Sequence, residues 1–419
     1  MSETADTVKQ KVTAKVVFIA IAACLLFGVL SGFRSDMSAV IGIMQDTSET
    51  LSYVDLQLAN TVCRFVGALS APVIAFLTLK KSNLFVLTFG FITSILGVLC
   101  MAVAQSLPLM IIGLGILFAL GTAALSFGII FGIVSPLVGE KVAIIISTLF
   151  SISTTFFGVL FSPIIQGLSN VMGYQAMLII FCLVLVCIYP LSFVIAGRKN
   201  EVHVAHAKKK IRFKEALSII FKNRFTYILI GFFLVLGLAS GIGNHLYTGM
   251  LSLDIPSMGV SFTFSILKII GAVGSFIFAF IVVRIKRTLS MGALIFLCFG
   301  LMELVVALLP VGALPSLVSI SIAILAVSAL YPLSSLILRR EYAPVLIASV
   351  FSFVGIFEKI GAGINSIVGS IIYDAVGNFQ PLIIGEAILL LLFTLFLFII
   401  ILKRECSAKK SGDTPEQKE

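Results

Sequence analysis

The chain has 419 residues, of which 59% are hydrophobic and only 11% charged, and it carries a net charge of +10. Its mean hydropathy is +1.18, whereas a soluble domain has about a quarter of its residues charged, so a water-facing surface over the whole chain is excluded. At about 20 apolar residues per membrane crossing, the length accommodates roughly a dozen spans and leaves no room for a soluble catalytic domain, so the chain reads as a non-enzyme.

Residues 1–15 form a polar tail carrying Lys9, Lys11 and Lys15. The apolar run behind it is too long for a signal-peptide core and reads as the first span. Six apolar runs follow one another at 16–44, 55–79, 83–104, 107–135, 142–168 and 173–197. A polar linker, 198–224, is rich in Lys and Arg, and its end from Phe213 to Arg224 has the pattern of a short helix on the membrane surface. Six more runs occupy 225–251, 257–283, 288–310, 313–338, 343–372 and 381–402, before a polar tail at 403–419. The pattern predicts an all-α membrane protein of twelve transmembrane helices in two six-helix bundles, 16–197 and 225–402.

Of the 29 Lys and Arg residues, 25 lie in the tails, the linker or alternate loops. Lys80, Lys81, Lys141, Arg284, Lys286, Arg287, Arg339 and Arg340 are examples. The opposite loops, 45–54, 105–107, 169–172, 253–256, 311–312 and 374–380, hold none. This segregation places both termini in the cytoplasm of a plasma membrane, here read as a bacterial inner membrane. It also makes the positive charge a topology signal, with the lipid bilayer as partner and no nucleic acid.

The halves repeat. Arg64, Gly67, Ala68, Ala75, Phe76 and Lys80 correspond to Lys268, Gly271, Ala272, Ala279, Phe280 and Arg284 at a constant offset of 204 residues. Phe150-Ser151 and Phe351-Ser352 also correspond, as do Gly173-Tyr-Gln and Gly377-Asn-Phe-Gln. An offset near half the chain length indicates a duplicated six-helix unit, so the bundles are expected to be pseudo-symmetric.

Four cations are not needed for topology: Arg34 in span 1, Arg64 in span 2, Lys268 in span 8 and Lys359 in span 11. At about 1.5 Å of rise per residue, the last three lie roughly 13–20 Å from the outer helix ends. A charge at that depth costs at least about 2.5 kcal/mol, so each needs a carboxylate partner, a wet cavity or an anionic substrate. The carboxylates within the spans are Asp36, Glu303, Glu358 and Glu386. One reading is a set of fixed interhelical ion pairs. The other has Lys268 and Lys359 holding an anion in a central cavity, with Arg64 and Arg34 contacting or gating it. Glu303 and Glu358 are candidates to carry a proton. Asp36 and His245 are further ion-pair or proton candidates.

Tyr247, Tyr331 and Asn365 are candidate hydrogen-bond donors to a substrate. Gly241-Ile-Gly243-Asn244, just before His245, is a stretch expected to loosen span 7, and Tyr331-Pro332 is expected to kink span 10. The glycines of span 4 read as close helix packing, and the 36 Phe residues are expected mostly to face lipid. The seven cysteines, Cys24, Cys63, Cys100, Cys182, Cys187, Cys298 and Cys406, show no metal or redox spacing. With no phosphate loop either, no cofactor or metal is expected, and any transport is driven by gradients.

Two six-helix halves joined by a basic loop resemble the major facilitator superfamily across nearly the whole chain. The superfamily's acidic and basic loop signature after span 2 is reduced here to Ala75-Phe-Leu-Thr-Leu-Lys80-Lys81. Residues 48–58, Ser-Glu-Thr-Leu-Ser-Tyr-Val-Asp-Leu-Gln-Leu, resemble the entry to span 2 in the monocarboxylate transporters and oxalate/formate antiporters. The stretch from Gly139-Glu-Lys-Val-Ala143 through Pro163 to Gly173-Tyr174 is similar to that group's fifth span. Lys268, followed by Gly271, and Lys359 sit where the oxalate/formate carriers place their carboxylate-binding cations. The chain departs from the group in three places: Lys268 replaces an Arg, Phe264 replaces an Asp, and Leu30-Ser-Gly-Phe-Arg34 replaces an acidic motif.

The resemblance implies a monomeric secondary active transporter of a small organic anion, a mono- or dicarboxylate. It would work by alternating access as a proton symporter or an anion exchanger. An alternative is a drug or lipophilic-compound exporter, suggested by Ser162-Pro163-Ile-Ile-Gln-Gly167 but opposed by the mostly basic deep charges. A second alternative is a non-transporting membrane sensor.

Overall fold

The computed structural model describes residues 14–196 except 49 and 139, and 221–411 except 241–242, 252–255, 283, 286, 310–313 and 343. The N-terminal tail to residue 13, the C-terminal residues 412–419 and nearly all of the linker lie outside the described residues. So does most of the expected surface helix; only its end is described, with Phe221 and Lys222 helical.

Each of the twelve apolar runs is mainly helical over its described residues, and no strand occurs among them. In lipid this follows from chemistry: with no water to take up backbone N–H and C=O groups, each span must satisfy them internally. Nine helical segments among the described residues are long and apolar enough to cross a membrane. One of them, Ile152–Ile188, serves two runs. The helix Glu140–Ile188 has a single non-helical residue, Gly173 at φ 81° and ψ 161°. Residues 169–172, expected as a loop, are therefore helical, and the chain reverses at the glycine, which adopts positive φ without a Cβ clash.

Span 1 is also divided. Ala14–Ser35 stops at Asp36, and Met37–Thr47 resumes. The described parts of span 7 are Arg224–Ser240 and Gly243–Leu251; residues 241 and 242, half of the stretch expected to loosen it, lie outside the described residues. Span 2 begins where Ser52 and Asp55 form a reciprocal capping box, which satisfies two amide donors that the first helical turn leaves open.

The apolar core divides near the linker. One cluster is built from residues between Ile19 and Ala196, joined by Phe379 and Leu382. A second is built from residues between Phe225 and Leu397. A small third cluster joins Ala39 to Tyr247, Met250, Val260, Phe264 and Leu267 across the seam. The outside carries exposed Leu, Ile, Val and Phe side chains, for example Val171, Leu183, Phe280 and Leu392, as a lipid-facing surface requires. The expectation for Phe needs correction, however. Phe33, Phe91, Phe118, Phe150, Phe232, Phe233, Phe296 and Phe299 are fully buried, because flat rings fill the gaps between helices and pack edge-to-face. Phe232 and Phe296 do so at 4.9 Å between centroids.

The seam between halves runs along spans 2 and 11, 5 and 8, and 1 and 7. One pair of its described side-chain hydrogen bonds repeats with the sequence offset. Thr61 Oγ1 donates to the Gly363 carbonyl at 3.0 Å. Ser265 Oγ, 204 residues after Thr61, donates at 2.9 Å to the carbonyl of Val159, 204 residues before Gly363. Gly173 and Gly377, the positive-φ residues among those described, are separated by the same 204. All the described seam bonds lie on the side of the loops that lack Lys and Arg.

Candidate functional site: a cation-lined cavity between the halves

A cavity of about 1130 Å³ opens between the bundles. Arg34, Arg64, Lys268 and Lys359, the four cations that topology leaves over, all line it. So do Glu303, Glu358 and His245. Much of the remaining wall is apolar, including Phe27, Phe118, Leu267 and Phe299.

Two of the cations cross the seam. Lys268 forms an ion pair with Asp36, which is fully buried at the break in span 1. Its ammonium also donates to the Gly158 carbonyl at 3.3 Å and lies 4.5 Å from the centre of the Phe264 ring, a cation–π distance. The resemblance puts a carboxylate at position 264; here an aromatic face stands there, and span 1 supplies the carboxylate instead. Arg64 is the repeat partner of Lys268, and it crosses in the opposite sense to donate to Asn244 Oδ1. Asn244 is on the Gly243–Leu251 helix of span 7. Each half thus sends a span 2-type cation to the first span of the other.

Lys359 is placed differently. Arg34, Arg64, Glu358 and Cys63 lie within its electrostatic reach. Close helix approach sets its position. A Cβ on Gly237 would strike the Glu358 carbonyl, and one on Gly361 would meet the Leu238 amide nitrogen at 2.8 Å. Two glycines therefore let span 11 lie directly on span 7, fixing Glu358 and Lys359 at the cavity wall. About 100° apart on the helix, they meet the cavity at separate points.

His245 is buried and held at both ring nitrogens. Nε2 contacts the Asn365 carbonyl at 3.2 Å. A carbonyl only accepts, so Nδ1 is the acceptor for the Tyr53 hydroxyl at 2.7 Å. That hydroxyl in turn accepts from Gln57 Nε2 at 3.0 Å. Tyr247 is fully buried and donates to Gln166 across the seam. It also pairs with Ser261 at 2.8 Å. Asn365 is buried too, its amide donating to Glu386 and to the Leu238 carbonyl at 2.9 Å. Tyr247 and Asn365 thus sit behind the cavity wall and tie helices together. The Tyr331 side chain lies outside the described residues.

Sequence reasoning did not single out Asn244 as the partner of Arg64, nor Gln57, Asn60 and Ser366 as seam residues. The usable signal for Asn244 was its position immediately after the glycines of span 7. Among the described residues there is no cluster of His, Cys, Asp and Glu able to hold a metal ion.

The sequence model of the Major Facilitator Superfamily matches residues 16–327. The chain belongs to the major facilitator superfamily. It is a multi-pass membrane protein and a secondary transporter of the major facilitator type. Among solved structures it is similar to the nucleoside transporter NupG, with a TM-score of 0.73 at 13% identity, covering 93% of this chain and 99% of that one. It is also similar to a bacterial homolog of the human lysosomal transporter Spinster in an inward-facing, unoccupied conformation. That match has a TM-score of 0.74 at 14% identity, covering 92% of this chain and 97% of that one. At such identities the likeness shows the fold alone. No curated protein sequence matches the chain.

Proposed function

We propose that this major facilitator protein carries a small organic anion, a mono- or dicarboxylate, by alternating access, as a proton symporter or anion exchanger. The observation that carries this reading is the cationic surplus of one cavity: Arg34, Arg64, Lys268 and Lys359 against Glu303 and Glu358 at its wall. Cations inside a membrane are retained at a cost of kilocalories each, and an anionic substrate offsets that cost only while bound. Lys359, with Arg34 and Arg64 in reach, is the carboxylate site. The apolar wall receives the carbon skeleton. Lys268 acts as a clasp, since a carboxylate entering the cavity competes with Asp36 for its ammonium.

The closed seam lies on the side of the uncharged loops, so with both termini cytoplasmic the cavity faces inward. In this reading the units are residues 16–197 and 225–402, rocking about the site in a bacterial inner membrane, as a monomer.

Counterflow of radiolabelled carboxylates in proteoliposomes tests the proposal. Exchange is expected for at least one mono- or dicarboxylate, with uncharged nucleosides and lipophilic cations excluded. Exchange of the cations alone would support the exporter reading, and binding without flux would support a sensor.

A further inference from the structure

At the cavity wall, two carboxyl groups meet with no cation paired to them among the described residues. Glu303 comes from span 9, helix Thr288–Leu308, and Glu386 from span 12, helix Gln380–Ser411; these helices pack along each other. Glu303 is 2% exposed and Glu386 7%. Each lies within electrostatic and hydrogen-bonding reach of the other. Asn365 donates to Glu386 Oε1. Both oxygens of Glu303, Glu386 Oε2 and Asn365 Oδ1 have no partner among the described residues.

The charged groups nearby are committed elsewhere. On span 11, Glu358 and Lys359 face the cavity. On span 7, His245 is engaged by Tyr53 and by the Asn365 carbonyl. Span 10 carries no titratable side chain from Leu314 to Leu330. Lys268 is held by Asp36.

Two ionised carboxylates are acceptors only, and side by side in a low-dielectric interior they repel. A single proton resolves both difficulties. It removes one charge and turns one carboxyl into a donor for the other's open oxygen. We propose that Glu303 and Glu386 share one proton and form the coupling-proton site of the transporter. The proposal deepens the symport branch of the proposed function and rests on it.

The placement supplies a route and a trigger. Glu303 lines the central cavity, whereas Glu386 and Asn365 line a separate crevice of about 180 Å³ among spans 7, 11 and 12. The proton therefore enters and leaves through Glu303. The Asn365 that steadies Glu386 also holds His245 through its carbonyl, and His245 is bonded across the seam by Tyr53. Parting of the seam breaks the Tyr53 bond and loosens the support of the pair, so release of the proton is tied to the change of access.

The test is infrared spectroscopy of the full-length protein in lipid nanodiscs, followed with pH. One protonated-carboxyl C=O band, shifting in D₂O, is expected in the wild type at neutral pH, and it disappears in both Glu303→Gln and Glu386→Gln. In proteoliposomes, acid outside drives anion accumulation by the wild type, approaching about tenfold per pH unit for one proton per charge carried. Both variants lose that accumulation. A band that is absent from the wild type, or that survives in either variant, overturns the proposal, as does accumulation driven by a Na⁺ gradient in place of protons. A wild type without carboxylate counterflow contradicts the proposed function instead; the infrared band still decides whether the pair holds a proton.

Discussion

Arg64 and Lys268 occupy the same place in the two halves, yet their surroundings differ. Both lie in the second span of their repeat, and both reach across the seam to the first span of the other half. Lys268 meets Asp36, a buried carboxylate. Arg64 meets Asn244, an uncharged amide. Duplication explains the shared geometry, and one difference in partner separates the roles. On the Lys268 side a full negative charge balances the cation, the clasp of the proposed mechanism. On the Arg64 side Asn244 itself adds no charge, and Lys359 lies within electrostatic reach. The proposed anion site is therefore asymmetric on a repeated scaffold.

Removing the clasp's negative charge has the largest expected effect. Asp36→Asn leaves the Lys268 ammonium without its counter-charge, which in buried pairs costs about 3–5 kcal/mol. Thermal melts of the detergent-purified protein should fall sharply, and Asp36→Asn combined with Lys268→Met should recover most of the loss. An unchanged melt for Asp36→Asn would show that the pair does not hold the seam.

The reverse exchange sharpens the comparison from the other side. Asn244→Asp gives the Arg64 crossing the partner that Lys268 already has. The anion then competes with a carboxylate on both sides, and its apparent affinity in counterflow should weaken about tenfold, equivalent to about 1.4 kcal/mol. Unaltered affinity would separate Arg64 from the substrate.

The smallest effects probe the symmetry itself. Thr61→Ala and Ser265→Ala each delete one of the two repeat-related seam bonds. Each should lower stability by about 1 kcal/mol, by similar amounts, and the double variant should be close to additive because the bonds share no partner. A large difference between the two would mean that the halves are not equivalent at the seam.

What the sequence revealed divides along the same line. Apolar run lengths and the segregation of Lys and Arg are local properties, so the all-helical membrane fold and the four leftover cations were visible in them. The 204-residue offset was visible too, and Gly173 and Gly377 show it in their backbone conformation. The partners were less legible. Asp36 with Lys268, Arg64 with Asn244, and Gln57 with Ser366 are joined only by the docking of two bundles, and no local pattern encodes that docking. The break inside span 1 was not legible, because nothing in the sequence around Asp36 signals it. The buried Phe residues were misread because an apolar side chain fits a lipid face and a helix interface equally well. Tyr247 and Asn365 were chosen for their hydrogen-bonding groups, which the fold uses to join helices behind the cavity wall.

The central claim is that Lys359, among Arg34, Arg64 and Glu358, holds the carboxylate. Its most direct test is counterflow of a transported carboxylate by Lys359→Gln, in proteoliposomes matched to wild type for amount and melting temperature. The predicted result is loss of exchange with the fold intact, and partial recovery in Lys359→Arg, which restores the charge. Wild-type exchange by Lys359→Gln would contradict the account.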